Sequence, residues 1–261
     1  NLHKIIIVGG GAGGLELATQ LGNTLGKSNK AKITLVDQKL THIWKPLLHE
    51  IAAGTLNPHA EETNYFAHSA KHYYEFVLGS FIEIDQKSKQ IVLETSQRSK
   101  LDRTQKNIRL DYDTLIIAVG STSNDFNTEG VKQHCHFLDS RKQADVFQQD
   151  LLHLYLEAQN HEISRTLNIA IIGAGATGIE LAAELYQAKQ TFFKYGLNKI
   201  HPKNVNITVI EAADRILPVL SETIAQHTSH QLEQFGITVL TQHRVSKVDN
   251  EKVYFADGNS I

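Results

Sequence analysis

The sequence predicts an α/β chain in which one strand–turn–helix unit is used twice, and three observations carry that expectation. Residues 4–8 and 168–172 are short apolar runs rich in β-branched side chains, the length and composition of buried parallel strands. Each is followed at once by G-x-G-x-x-G, at Gly9, Gly11 and Gly14 and again at Gly173, Gly175 and Gly178, and then by a helical apolar pattern. Each helix leads to a second apolar strand that ends in an acid, Asp37 after 32–36 and Glu211 after 206–210. Together these predict two Rossmann-like dinucleotide-binding units.

The elements follow in order. The acids lie further from their glycines than the roughly 20 residues usual for this unit. Two polar insertions account for the excess: 22–31, rich in Gly, Asn and Lys, and 195–203, with Gly196 and Pro202. Residues 75–85 and 90–94 read as strands, and the charged stretch 96–107 reads as an exposed hairpin tip. A buried strand is expected at 114–119, ending at Gly120. An amphipathic helix is expected at 139–158, with Ser140 as its cap. A further helix is expected at 221–234, capped by Ser221 and closed by Gly236. The runs 237–240, 245–248 and 252–255 read as a small antiparallel β-meander, with Asp257-Gly258 as a turn. The chain then stops where another strand is expected, so the fold is read as truncated at the C-terminus. The domains are placed at 1–138, the incomplete first unit, and 139–261, most of an inserted second one.

Composition narrows the function. The 261 residues suit about two domains. With 26 Lys+Arg against 28 Asp+Glu, no basic field draws the chain to nucleic acid. Cys135 is the only cysteine, which excludes an internal disulfide, a CxxC redox pair and a multi-cysteine zinc site within the chain. Methionine is absent and residue 1 is Asn, which reads as a piece of a longer chain. No apolar run reaches the roughly 18–20 residues of a spanning helix. The start lacks a signal-peptide pattern. Low cysteine usage and that missing signal point to a reducing, cytoplasmic setting.

The chemistry rests on the glycine turns. The first glycine makes the tight turn, the second admits a pyrophosphate to the backbone, and the third lets helix and strand pack closely. The helix start offers N–H groups and partial positive charge to the phosphates. The acid accepts from ribose hydroxyls. Two such sites in one chain point to one FAD and one NAD(P)H, with hydride passing from nicotinamide to flavin. Among the histidines, His42, His49, His59, His68 and His72 cluster in sequence, and His134 and His136 flank Cys135. Only His68 and His72 stand at i, i+4, without the acid of an H-E-x-x-H pattern, so solvated or hydrogen-bonding roles are expected and no metal. Trp44, Tyr73, Tyr74 and Phe76 read as core or flavin-pocket packing.

Several segments resemble the type II NADH dehydrogenases. These are the two fingerprints, Trp44-Lys-Pro46-Leu-Leu-His-Glu-Ile-Ala-Ala-Gly54, Tyr112-Asp-Thr-Leu-Ile-Ile-Ala-Val-Gly120, Thr177-Gly-Ile-Glu180-Leu-Ala-Ala-Glu184 and Val209-Ile-Glu211-Ala-Ala-Asp-Arg215-Ile-Leu-Pro218. The resemblance implies FAD in the first unit, NADH in the second, and electron transfer to a membrane quinone without proton pumping. Gly9, Gly11, Ala12, Gly13 and Gly14 would wrap the FAD pyrophosphate, and Asp37 with Gln38 would meet its ribose. Lys45 and Pro46 would lie near the flavin, backbone at Phe81 near the adenine, and Ala118 and Gly120 near the phosphates. Gly173, Gly175 and Gly178 would hold NADH and Glu211 its ribose, with Arg215 close enough to blunt a preference over NADPH. Glu180 is the candidate catalytic residue, near the nicotinamide and supporting quinone protonation. Against it stands the reading of a helix-start acid that complements the dipole, and Glu16 holds the equivalent place in the first unit. The resemblance also implies a peripheral location on the cytoplasmic side of the inner membrane through a C-terminal segment, and leaves a homodimer open. Residues 1–261 alone are expected to bind FAD poorly and to reduce no quinone. The alternatives are a sulfide:quinone oxidoreductase, an NADH-dependent reductase of a ferredoxin or rubredoxin, and a dinucleotide-sensing module without turnover.

Overall fold

The computed structural model describes residues 1–57, 61–95, 106–160 and 166–261. Chain order runs β1 (His3–Val8), α1 (Ala12–Leu21), β2 (Ala31–Asp37), β3 (Thr41–His42), α2 (Leu48–Ala53), β4 (Thr63–Asn64), α3 (Tyr65–Lys71), β5 (Glu75–Leu78), β6 (Ser80–Asp85), β7 (Gln90–Thr95), β8 (Lys106–Asp111) and β9 (Thr114–Ile117). It continues α4 (Val131–His134), α5 (Arg141–Asn160), β10 (Leu167–Ile172), α6 (Ala176–Lys194), β11 (Val205–Ile210), α7 (Glu222–Gln234), β12 (Thr238–Leu240), β13 (Val245–Val248) and β14 (Val253–Phe255). These elements form two compact units, Asn1–Lys45 with Pro58–Thr122, and Pro46–Asn57 with Ser123–Ile261.

The first unit is built on a parallel sheet of order β5-β2-β1-β9. Alternate side chains of a strand face opposite sides, so the apolar runs supply two cores. Ile5, Ile7, Ile33 and Leu35 pack on one face with α1 and with Tyr65, Tyr74 and Phe76. Ile6, Val8 and Val36 pack on the other against Ile91 and Leu93 of the antiparallel sheet β6-β7-β8. A continuous hydrophobic run is what a strand buried on both faces requires.

Two expectations for this unit differ from the structure. Residues 75–85 are not one strand: the chain breaks at Gly79, whose N–H donates to the Asp37 carbonyl at 2.9 Å. The first part pairs with β2 in parallel, and the second crosses to β7. The strand expected over 114–119 stops at Ile117 and is not buried, with Ile117 56% and Val119 62% exposed. It has β1 as its single strand neighbour among the described residues. The insertion at 22–31 is partly helical, because a π-turn over Gly22–Gly26 prolongs α1. The hairpin tip expected at 96–107 lies, apart from its last two residues, outside the described residues.

The second unit repeats the plan with a sheet of order β10-β11-β12. β12 pairs in parallel with β11, so the meander expected over 237–255 reduces to a β13-β14 hairpin. The helix between β11 and β12 makes that pair a crossover unit, and such units are parallel. The hairpin shares a core with Val131 and Ile210. α5 buries Ala144, Leu151, Tyr155 and Ala158, a helical stripe. Its start is capped: the Ser140 hydroxyl accepts from the Gln143 N–H, and the Gln143 side chain accepts from the N–H of Asp139, one residue before the cap. Ser221 caps α7 as expected, accepting from Ile224 N–H. Residues 46–57 and 123–138 cluster with this unit. The sequence reading had no α2; it packs on α5 and α6 and ends at Gly54, whose φ of +79° closes it in the left-handed region.

Candidate functional site

The two glycine turns have matching geometry. Gly9 and Gly173 take φ of +102° and +103°, open only to glycine without strain. Their N–H groups donate to the end of the neighbouring strand, at Val36 and Ile210, both at 2.8 Å. A Cβ on Gly14 would overlap the Gly9 carbonyl, and one on Gly178 would overlap the Gly173 carbonyl. These third glycines therefore exist for packing. Gly11 and Gly175 cap α1 and α6 in extended conformation with no side-chain cap. Space around Gly11, Gly13 and Gly175 is open, and Ala12 and Gly13 are exposed. A helix start in this state is a cradle for an anionic phosphate.

The acids close each turn in the same way. Asp37 accepts from the Gly10 N–H at 2.7 Å and from the Lys39 N–H at 2.8 Å. Glu211 accepts from the Ala174 N–H and the Ala213 N–H, both at 2.9 Å. An ionised carboxylate has about four acceptor positions, so capacity remains for ribose hydroxyls. The opposite end of each peptide is also held. The buried Tyr65 hydroxyl donates to the Gly10 carbonyl at 2.6 Å, whereas the Ala174 carbonyl accepts from the Leu217 N–H at 2.8 Å. Burial pushes the Tyr65 hydroxyl far above its ordinary range, so it stays a donor. Sequence reasoning missed Tyr65, and no local spacing points to it.

The remaining first-unit residues gather around this turn. The Ala118 N–H donates to the Val8 carbonyl at 2.7 Å, and the Ala118 carbonyl fills the space a Gly9 side chain would need. The Lys45 ammonium donates to the Ser121 carbonyl at 2.8 Å, beside Gly120 at φ +74°. Phe81 packs against the Val8 and Val36 core, two residues past the Gly79 link to Asp37. Gln38 is exposed beside Asp37. Pro46 belongs to the second unit.

Glu180 is the fifth residue of α6, and the first turn of that helix holds no acid. The dipole effect fades beyond the first turn, so it does not by itself account for this glutamate. Its Oε2 stands 3.5 Å from Nδ1 of His49, which is buried on α2. One turn further, the Thr55 hydroxyl donates to Glu184 at 2.8 Å. The Arg215 guanidinium donates through Nη2 to the Pro218 carbonyl at 3.0 Å, within its own loop.

The histidines divide by burial. His42 and His49 are buried, not solvated. The His68 and His72 rings stack at 4.3 Å, each bonded through Nδ1, to the Tyr74 hydroxyl and to Asn23 respectively. No group of three metal-binding side chains occurs among the described residues, and His59 lies outside them. Tyr74 and Phe76 are core residues, while Trp44 and Tyr73 are each 49% exposed. Burial pushes the Cys135 thiol up.

A family model for pyridine nucleotide-disulphide oxidoreductases matches residues 3–261. The chain belongs to that family. Over its whole length it is 41% identical to the Type II NADH:quinone oxidoreductase of Haemophilus influenzae, 62% of which it spans. Its fold matches NDH2 from Plasmodium falciparum, solved in complex with NADH, with a TM-score of 0.82 at 24% identity, covering all of this chain and 53% of that one. It also matches the sulfide:quinone oxidoreductase of Aquifex aeolicus, with a TM-score of 0.76 at 18% identity, covering 99% of this chain and 56% of that one. The family member described here thus spans between about half and three-fifths of these proteins. The α/β dinucleotide-binding fold expected from the motifs is the fold found.

Proposed function

We propose that this chain carries the two dinucleotide-binding units of a type II NADH:quinone oxidoreductase, with FAD held by the first and NADH by the second. The observation that carries the reading is the duplicated turn: equal φ at Gly9 and Gly173, equal packing at Gly14 and Gly178, and an acid bonded to the same N–H in each. In this reading the α1 start, with Gly11 to Gly14, holds the FAD pyrophosphate, and Asp37 the ribose. Ala118, Gly120 and Lys45 border the same site. The assignments of Gln38, Phe81 and Pro46 rest on the resemblance. Gly173, Gly175 and Gly178 hold NADH, and Glu211 takes its ribose. A flavin, when bound, accepts hydride from reduced nicotinamide and passes electrons on. The chain's own residues bind and orient the two nucleotides.

Two features favour the NADH:quinone reading. The relative at 41% identity is named for it. The sulfide-oxidising alternative shares the fold but works through reactive thiols, and Cys135 is a single cysteine whose thiol burial disfavours ionisation. Membrane association is proposed as peripheral, on the cytoplasmic face. Among the described residues no helix is long and apolar enough to cross a membrane. A second copy of the chain is a further candidate partner.

The test is a visible spectrum of the full-length protein, followed by NADH oxidation with a soluble quinone and, separately, a ferredoxin-type acceptor. A yellow protein that reduces quinone is expected. Turnover with ferredoxin alone, sulfide-dependent quinone reduction, or NADH binding without oxidation overturns the reading.

A further inference from the structure

We propose that His49 is a positioning residue for the Glu180 carboxylate. This inference rests on the NADH:quinone reading, in which NADH and one proton convert a quinone to quinol and leave NAD+, and Glu180 is the group expected to pass that proton.

The argument begins with α2. Leu48, Ile51, Ala52 and Ala53 make its buried face, and His49 shares it at 8% exposure. A polar ring on an apolar face costs free energy unless it is partnered. The imidazole is flanked by two carboxylates. Glu50 of its own helix stands 4.0 Å from Nε2, and Glu180 of α6 stands 3.5 Å from Nδ1. Nδ1 is buried and makes no hydrogen bond among the described residues. With its proton on Nδ1, the ring has the Glu180 carboxylate as an acceptor at 3.5 Å. Contacts of this kind are often long in a free protein and tighten when substrate is present.

The seam around the pair is fixed. Glu180 and Glu184 are four residues apart and so share a face of α6. Glu184 is bonded by Thr55, just beyond the end of α2. The Thr55 N–H in turn donates to the Glu50 carbonyl at 2.9 Å. Ile179 and Ala182 beside Glu180 are buried, which fixes the helix backbone from which the half-exposed Glu180 side chain reaches His49. The comparison with the first unit is decisive. Glu16 occupies the equivalent place on α1 and, among the described residues, accepts from Gln20 on its own helix. The repeated turn explains an acid in both places. It does not explain a buried imidazole aimed at one of them.

The experiment uses the full-length protein as wild type, His49→Leu, His49→Asn, Glu180→Gln and the His49→Leu/Glu180→Gln double variant. Leucine keeps the volume and removes the donor, whereas asparagine keeps an N–H near the position of Nδ1. For quinone reduction, kcat is expected to fall about ten- to a hundredfold in His49→Leu, the scale of a misplaced reacting group. KM for NADH should be unchanged, and His49→Asn should stay close to wild type. In the Glu180→Gln background, His49→Leu should cost nothing further, and the unfolding midpoints of the four forms should be non-additive in the same sense. Additive effects in either readout, or an asparagine variant as slow as the leucine one, overturn the inference. A wild-type protein that reduces no quinone overturns the underlying reading and this inference with it. A wild type that does so while the effects add overturns this inference alone.

Discussion

Gly10 sits between the motif glycines Gly9 and Gly11, yet its surroundings set it apart from them. Its N–H is taken by Asp37, its carbonyl by Tyr65, and the Tyr65 ring fills the space of any side chain it might carry. Tyr65→Phe removes one bond and leaves a buried carbonyl unsatisfied, which costs about 1–3 kcal/mol. Urea unfolding should record that loss, and the variant should retain less flavin on gel filtration. His42 lies against the same tyrosine, with ring centroids 6.2 Å apart. Its burial lowers its proton affinity, only partly offset by the Gly10 carbonyl and Asp37. The folded chain thus resists a proton that the unfolded chain takes up near pH 6.5. Stability from this group is complete above that value and is lost as pH falls below it, by up to about 1.4 kcal/mol per pH unit. Unfolding midpoints at pH 7.5 and 5.5 should show the drop, and His42→Asn should reduce it; an equal drop in both proteins contradicts this account. The motif glycines were legible because backbone geometry is coded in a few adjacent residues. Tyr65, His42 and His49 were not, because each acts on a partner distant in sequence, and no periodicity marks them.

At the scale of elements, the strand–turn–helix unit separates packing glycines from binding glycines. Gly178→Ala should unfold the second unit or lower its melting temperature by several degrees, because its Cβ meets the Gly173 carbonyl. Gly175→Ala meets nothing. It should fold normally and lose NADH affinity, as isothermal titration would show; equal stability losses for both would refute the distinction. Where the element reading went astray, the cause is physical. The run 75–85 holds apolar residues on both sides of Gly79, and sequence alone does not reveal that its two halves join different sheets. The run 237–240 is apolar in either orientation. The helix before it was the available signal for a parallel partner, since parallel strands are usually joined through a helical crossover. α2 spans only six residues, too short for periodicity to register.

At the scale of the molecule, a strand, turn, helix and acid appear twice, and that duplication was the most legible feature of the sequence. Residues 46–57 and 123–138 are short helices and loops that join the second unit through packing, which composition does not encode. The two turns also differ in a way that bears on descent. In the second, the Ala174 carbonyl is met by the backbone of Leu217, which any side chain at 217 can provide. In the first, the same task falls to the side chain of Tyr65. A lineage that shrinks position 65 frees position 10 to grow, and one that keeps tyrosine holds position 10 at glycine. Across relatives, columns 10 and 65 should therefore change together, while 174 varies without reference to the residue type at 217.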